Sequence, residues 1–264
     1  MTHPQAEIRI GLAGCGALGN IIARALTAGM PNYRWVGVSE IRPMDLPVPV
    51  MSFAALAEAC DWVIEALPPD VVPELAREVL PRGKRLIMLS AAALLRFPEI
   101  LAIADPGQIH ITAGALGGID AVQAYAIRGI ANAKLISTKP PHALAGTPFV
   151  VEQALDLSAI EKPTCIFTGN ALAAARAFPA NTNVAATLAF ACMPPDAKKL
   201  FDITVEIWAD PGARGNTHEI AVTADGAEFR SQIFSVPSPD NPKSSPQAAY
   251  ALLARLQSST VRFL

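Results

Sequence analysis

A strand that runs into a glycine turn and out again as a helix constrains this chain most. Residues 8–19 read IRIGLAGCGALG, and the helical run NIIARALTAG follows. The spacing Gly14-x-Gly16-x-x-Gly19 falls at the strand-to-helix junction. A turn of this kind brings backbone N–H groups and a helix N-terminus up to a pyrophosphate. Gly14 then makes the tight turn, Gly16 admits the phosphates to the backbone, and Gly19 lets the helix pack close to its strand. Gly14, Gly16, Ala17, Leu18 and Gly19 are therefore the expected cofactor-binding residues. The bland alternative, a tight turn with no ligand, is weakened by the flanking strand and helix, which are the context the fingerprint requires.

The next strand, YRWVGVSE, ends in Glu40, about twenty residues past the last glycine, where a ribose-binding acid belongs. A carboxylate there accepts hydrogen bonds from both ribose hydroxyls and repels a 2′-phosphate, which favours NAD over NADP. Ser39 and Arg42 flank it and suit a phosphate, which softens the preference.

The chain is 52 % apolar and 17 % charged, which suits a well-buried parallel sheet rather than a disordered or fibrous chain. A net charge of −2 gives no electrostatic reason to expect nucleic acid or an anionic membrane. The opening MTHPQAEIR has no basic segment leading into an apolar stretch, and no apolar run reaches bilayer length. Cys15, Cys60, Cys165 and Cys192 are scattered without metal-ligand spacing and read as small buried residues. No metal is expected, and the expected compartment is a reducing cytoplasm.

Strand and helix alternate over the first hundred residues: IRIGLAG, NIIARALTAG, YRWVGVSE, a short crossover PVMSFAALAEA, CDWVIEAL, PDVVPELAREVL, and RLIMLSAAAL as a further strand. This is the repeat of a doubly wound parallel sheet, an α/β Rossmann domain over residues 1–110. The strand ends at Gly14–Gly19, Glu40, Leu67-Pro68 and Ser90 should converge on one edge, where open α/β sheets bind ligands. From about residue 110 the pattern changes to that of a mixed sheet with helices. HITAGALGGIDAVQAYA is a strand, a glycine loop and a helix, and AKLISTKPP and KPTCIFTG are strands. ALAAARAFP and NVAATLAFA are short helices, and DITVEIWAD, HEIAVTADG and AEFRSQIFSVP are strands, the last two joined by an Asp225-Gly226 hairpin. Residues 111–240 are the expected α/β catalytic and dimerisation domain. After a Pro/Ser linker, residues 241–264 hold a final amphipathic helix that should pack back on the first domain.

A nicotinamide domain joined to a second α/β domain points to hydride transfer with a small molecule, which needs a group to move a proton. Of the histidines, His3 lies near the N-terminus, His110 precedes a strand, and His142 follows Lys139-Pro140-Pro141. His218 opens HEIAVTA and shares a strand face with Ile220 and Val222. That face is the buried or cleft side, and an imidazole titrates near neutral pH. The competing reading of His218 is a core histidine satisfied by a backbone carbonyl. Asn181 or Asn183 could cap NVAATLAFA or offer an amide to a ligand. Gly117 and Gly118 start a helix with free backbone donors for a substrate carboxylate, or form an ordinary turn. Lys139, before two prolines, is a candidate carboxylate partner, although an exposed surface lysine is the ordinary expectation.

Several segments together resemble the L-aspartate dehydrogenase family: GLAGCGALG, ITAGALGGIDAVQA, STKPPHAL, FPANTNVAATLA, ADPGARGNTHEI and SPDNPKSSPQAAYALLARL. They run in the family's order over nearly the whole chain. The resemblance implies that His218, within Asn216-Thr217-His218-Glu219-Ile220, is the catalytic residue and that Asn183 and Ala115 contact the cofactor. It also implies a homodimer, which residues 202–236 could supply with an antiparallel edge or face buried on both sides. The implied activity is the NAD(P)-dependent oxidation of L-aspartate to iminoaspartate, which water hydrolyses to oxaloacetate and ammonia or which passes on to NAD biosynthesis. Two features depart from the family pattern. Ala113 stands where a serine is usual, and LAFACMPPDAKKLFDITVEIW is longer than typical, which leaves room for another amino-acid substrate. The alternatives are a related reductase of another small acid, of the dihydrodipicolinate or homoserine kind, and a non-catalytic NAD sensor.

Overall fold

A computed structural model describes residues 7–179, 182–194, 197, 199–236 and 245–258. The chain divides into two units, one holding the residues up to Thr112 together with those from Ala248 on, the other Ala113–Gln247. His3 and Asn181 lie outside the described residues, as does most of the Pro/Ser stretch before the last helix.

The first unit contains, in order, β1 (Ile8–Ala13), α1 (Ala17–Thr27), β2 (Tyr33–Ser39), α2 (Phe53–Ala59), β3 (Trp62–Glu65), α3 (Val72–Val79), β4 (Arg85–Met88), α4 (Ala92–Arg96), α5 (Glu99–Ala102) and β5 (Ile109–Ile111). Its five strands pair in the order β2-β1-β3-β4-β5, and every pairing is parallel. The alternation of β1 decides what covers each face. Ile10 and Leu12 are buried with Ile22 and Leu26 of α1, while Leu56 and Cys60, in and just after α2, crowd the other face at Gly11. The sheet is thus doubly wound. The order reverses between β1 and β3, the switch point outside which ligands of such sheets bind. The final helix, α11 (Gln247–Ser258), puts Ala249, Leu252 and Leu256 into the same core as Ile10 and Ile22.

The strand expected over RLIMLSAAAL ends at Met88, and its second half is α4. Alanine and leucine favour helix over strand once pairing with a neighbour is lost, and β5 pairs with β4 only as far as Met88.

The second unit contains α6 (Ile119–Arg128), β6 (Ile130–Lys139), α7 (Pro141–Leu144), α8 (Pro148–Glu152), β7 (Thr164–Gly169), α9 (Ala171–Ala177), α10 (Asn183–Ala191), β8 (Thr204–Ala209), β9 (Asn216–Ala224) and β10 (Ala227–Ser235). Its strands pair in the order β10-β9-β6-β8-β7. The β6–β8 pair is parallel and the rest antiparallel, so the sheet is mixed. One face is buried: Leu135 and Ser137 of β6, Val205 and Ile207 of β8, and His218, Ile220 and Val222 of β9 all point into it. α10 is apolar all round, which suits a helix enclosed by α6 and α9. Phe149, Phe167 and Phe178 meet with ring centroids 5.3–5.5 Å apart.

Two expectations for residues 202–236 need correction. They do not form one antiparallel region, because β6 separates β8 from β9 and runs parallel to β8. Nor is the burial two-sided. β8 and β9 are buried on one face, and β10 alternates half-buried with exposed residues and buries none. Among the described residues no helix is long and apolar enough to cross a membrane.

Candidate active site

The glycine turn is built from close backbone approaches. Gly14 has φ +90°, and a Cβ there would lie 2.5 Å from the carbonyl oxygen of Ala66, just after β3. A Cβ on Gly19 would collide with the carbonyl oxygen of Gly14, so the helix can lie this close to the strand only with glycine at both positions. Gly16 is different. It is exposed, nothing stands within 4 Å of where its Cβ would be, and it is the N-terminal cap of α1. No side chain caps that terminus and its first turn holds no acid, so the N–H groups of Ala17, Leu18 and Gly19 face an end of partial positive charge. A cradle with open room at Gly16 fits a pyrophosphate.

Glu40 follows β2 and lies against this turn. Its Oε2 accepts from the Cys15 N–H at 2.7 Å, and its Oε1 accepts from the N–H groups of Ile41 and Arg42 at 3.0 and 3.1 Å. The Arg42 guanidinium reaches both carboxylate oxygens at 3.3 Å and donates to the Cys15 carbonyl at 2.8 Å. Burial alone would raise the carboxyl. The Arg42 side chain and the two N–H groups of Cys15 and Arg42 outweigh it and hold Glu40 at about 2. The carboxylate is therefore charged at any working pH, and it carries its own cation beside it. Cys15 is fully buried, and burial followed by the Glu40 charge pushes its thiol up to about 11, which makes it unreactive.

Glu65, at the end of β3, did not stand out in the sequence. It is fully buried, its Oε1 accepts from the Leu67 N–H at 2.7 Å, and its Oε2 accepts from the Ser90 N–H at 2.9 Å. Ser90 Oγ closes the ring on the Leu67 carbonyl at 2.9 Å. Burial pushes this carboxyl upward. It ties the segment after β3 to the one after β4 at the edge where the glycine turn lies. The signal was an acid ending an apolar parallel strand.

In the second unit β6 and β9 pair with Ser137 opposite His218, and Ser137 Oγ lies 2.8 Å from His218 Nδ1. Ser137, Lys139, Asn216 and His218 are each 4 % exposed or less and share the buried face of the sheet. Burial, helped by the nearby Lys139 charge, pushes the imidazole down to about 3, so His218 is neutral at physiological pH. An Nδ1–H donated to Ser137 Oγ would leave Nε2 unprotonated, the form that a base requires. Lys139 is not the exposed lysine that statistics favour. It is 2 % exposed, and desolvation lowers it to about 8. The sequence signal for Ser137 and Asn216 was available, since each stands two residues from Lys139 or His218 on the same strand face.

The other expected residues divide. Ala115 is buried in the loop between β5 and α6. Gly117 and Gly118 follow it, and the structure supplies a packing reason for the pair. A Cβ on Gly118 would enter the Phe229 ring, one on Gly117 would lie 3.1 Å from Ile233, and Ser231 Oγ donates to the Gly117 carbonyl at 2.9 Å. Ile233 is the register partner of His218, so this turn lies one side chain from the imidazole. Asn183 is not a helix cap. Thr182 holds that position, with its Oγ1 donating to the Phe178 carbonyl, and half-buried Asn183 is the first residue of α10. His110 stacks on Trp62 in the first sheet, and His142 lies in α7. A hollow of about 360 Å³ is lined by Lys134, Ile136, Glu219, Ala221, Arg230 and Gln232, from the face of the sheet opposite His218, and also by Ile220 and Ser231.

A family model described as aspartate dehydrogenase, C-terminal, matches residues 120–259. The chain is similar to L-aspartate dehydrogenase 3 of Bordetella bronchiseptica, 38 % identical over 96 % of this chain and 95 % of that one. It is 35 % identical to L-aspartate dehydrogenase of Bradyrhizobium diazoefficiens over 96 % of this chain and 92 % of that one. Among solved structures, aspartate dehydrogenase from Thermotoga maritima superposes with a TM-score of 0.74 at 21 % identity, covering 98 % of this chain and 99 % of that one. A scyllo-inositol dehydrogenase from Lactobacillus casei, with TM-score 0.53 and 16 % identity over 97 % of this chain and 88 % of that one, shares the fold.

Lys139 yields a stability prediction. Its pKa falls from 10.5 to about 8, so between those values the unfolded chain holds a proton that the folded one has lost. Stability therefore rises with pH through that window, and the cost of the buried cation is fully present below about 8. Lys139→Met should be more stable than the parent at pH 7, and this advantage should shrink to nothing as pH rises through the window. Urea unfolding across pH checks it. A variant less stable at pH 7 would show that Lys139 is already paired.

Proposed function

The chain belongs to the aspartate dehydrogenase family, and from that premise we propose that it catalyses NAD(P)-dependent oxidation of L-aspartate to iminoaspartate. Water then converts the imine to oxaloacetate and ammonia. The observation that carries the reading is the His218 imidazole, 2.8 Å from Ser137 Oγ, on the same buried face as Lys139. A nicotinamide cofactor would be held in the first unit by Gly14, Gly16, Ala17, Leu18, Gly19 and Glu40 and would supply a hydride acceptor; Ala115 and Asn183 are the further contacts that the family resemblance implies.

The substrate amine must be neutral, since its lone pair forms the C=N bond as the hydride departs. His218 takes the proton that the nitrogen then sheds, releases it to solvent, and, neutral again, takes a proton from the water that attacks the imine carbon. Lys139 pairs with a substrate carboxylate, and the Gly117-Gly118 turn is the proposed backbone contact for the other. Burial, with the Lys139 charge adding to it, keeps His218 neutral before substrate arrives, and a carboxylate on Lys139 relieves the second of these and makes the imidazole a stronger base. The free thiols at Cys15, Cys60, Cys165 and Cys192 suit a reducing cytoplasm.

Purified protein should form NADH on addition of L-aspartate at alkaline pH. His218→Ala should lower turnover about 10²–10⁴-fold with little change in NAD affinity, because the phosphate and ribose contacts lie in the first unit. Cofactor binding with no aspartate-dependent NADH in the parent protein would instead mark a sensor or an enzyme of another substrate.

We assign NAD as the preferred cofactor on Glu40. Glu40→Ala should weaken NAD by roughly 1.5–3 kcal/mol, the loss of hydrogen bonds to a charged acceptor. NADP should weaken less, since Arg42 is then freed for a 2′-phosphate. Equal weakening of both in a binding titration would remove Glu40 from this role.

The assembly proposed is a homodimer through the open face of the second sheet. That face mixes half-buried Ile136 and Trp208 with the Lys134–Glu206 ion pair, and β10 beside it has no buried residue. A second copy covers a face of this mixed character better than solvent does. Light scattering at micromolar concentration should give twice the chain mass, and a monomer mass would overturn the assignment.

A further inference from the structure

Lys139, Asn216 and Ser235 come from three neighbouring strands and lie in one cross-strand row. Thr138 pairs with Thr217, which brings Lys139 level with Asn216, and Asn216 pairs with Ser235. The adjacent row is Ser137, His218 and Ile233. Asn216 is 2 % exposed, yet among the described residues its Oδ1 has no hydrogen-bond partner, and Ser235 Oγ beside it has none either. A buried amide oxygen without a donor is costly and calls for an explanation. Lys139 Nζ lies on the same face and does not satisfy it.

We propose that Asn216 Oδ1 is the acceptor for the substrate's α-amine and selects amino acids over 2-hydroxy acids. The inference rests on the reading of His218 as the base for an amino-acid substrate. A neutral amine has two N–H bonds. One faces the unprotonated ring nitrogen of His218, and the other is donated to Asn216 Oδ1, two residues away on the same strand face. A hydroxyl has a single O–H and leaves one of the two buried acceptors unsatisfied. A methylene has none and leaves both. Sites with buried polar groups discriminate most strongly against analogues that strand those groups. Asn216 is neutral, so it accepts from the amine while stabilising the unreactive ammonium form far less than a carboxylate there would.

The test compares Asn216→Thr and Asn216→Val, near-isosteric residues that both suit a strand and differ in one acceptor. In each protein one measures KM and kcat for L-aspartate, inhibition constants for L-malate and succinate, NAD affinity and melting temperature. Asn216→Val should raise KM for aspartate about tenfold while both inhibitors stay within about twofold. Asn216→Thr should recover part of the aspartate loss. NAD affinity should hold in both. Should Asn216→Val fail to fold, Asn216→Ala carries the same expectation. If aspartate, malate and succinate all weaken by the same factor, or if Thr and Val behave alike, the role is packing or a buried water and the proposal is overturned. A parent protein that forms no NADH from aspartate overturns the proposed activity and this inference together. An active parent with a Thr–Val pair that does not differ overturns this inference alone.

Discussion

The antiparallel register of β6 with β9 is the constraint on which the chemistry of the second unit depends. It sets Ser137 against His218, residues 81 apart in sequence, with Oγ and Nδ1 at 2.8 Å. A slip of one residue would turn every side chain of β9 to the other face, sending His218 and Asn216 to the open side and Glu219 into the core. The apolar residues of the same strand guard against this, because Ile220 and Val222 would have to leave the interior with them. Hydrophobic burial therefore fixes the position of polar groups that would not choose to be buried themselves. The resulting low dielectric keeps His218 neutral and Lys139 only weakly held as a cation.

The first unit shows how surroundings divide two similar acids. Glu40 and Glu65 both end or follow parallel strands, and both accept backbone N–H groups from neighbouring segments. Arg42 joins Glu40 and brings it down to about 2, while full burial pushes Glu65 up. One is a charged contact at the glycine turn. The other is a clamp that sets two loops against each other.

The glycine turn, its helix and Glu40 were legible because their logic is local: a strand end, a tight turn, a helix start and an acid one strand later. Strand alternation put His218 on the buried face and the helix start marked Asn183; the family-like segments gave both an implied role and added Ala115. Asn216 and Ser137 escaped notice although their spacing from His218 and Lys139 was visible, because what singles them out is the partner each meets, or lacks, across the sheet. Lys139 was misjudged for the same reason, since its burial comes from strands far away in sequence. The extension of β4 into SAAAL was an ambiguity of composition, which only the short β5 resolves.

The first unit is not one continuous piece of chain. Ile10, Leu12, Ile22 and Leu26 share their core with Ala249, Leu252 and Leu256, which the ribosome makes only after the whole second unit. The nucleotide-binding sheet can be synthesised early, but its apolar face stays uncovered until the whole intervening unit has emerged. A nascent chain that stalls before Ala248 thus presents that face to chaperones or to other chains. The two units of the chain are bound to a common birth schedule, because the core of the first is finished by residues made after the second.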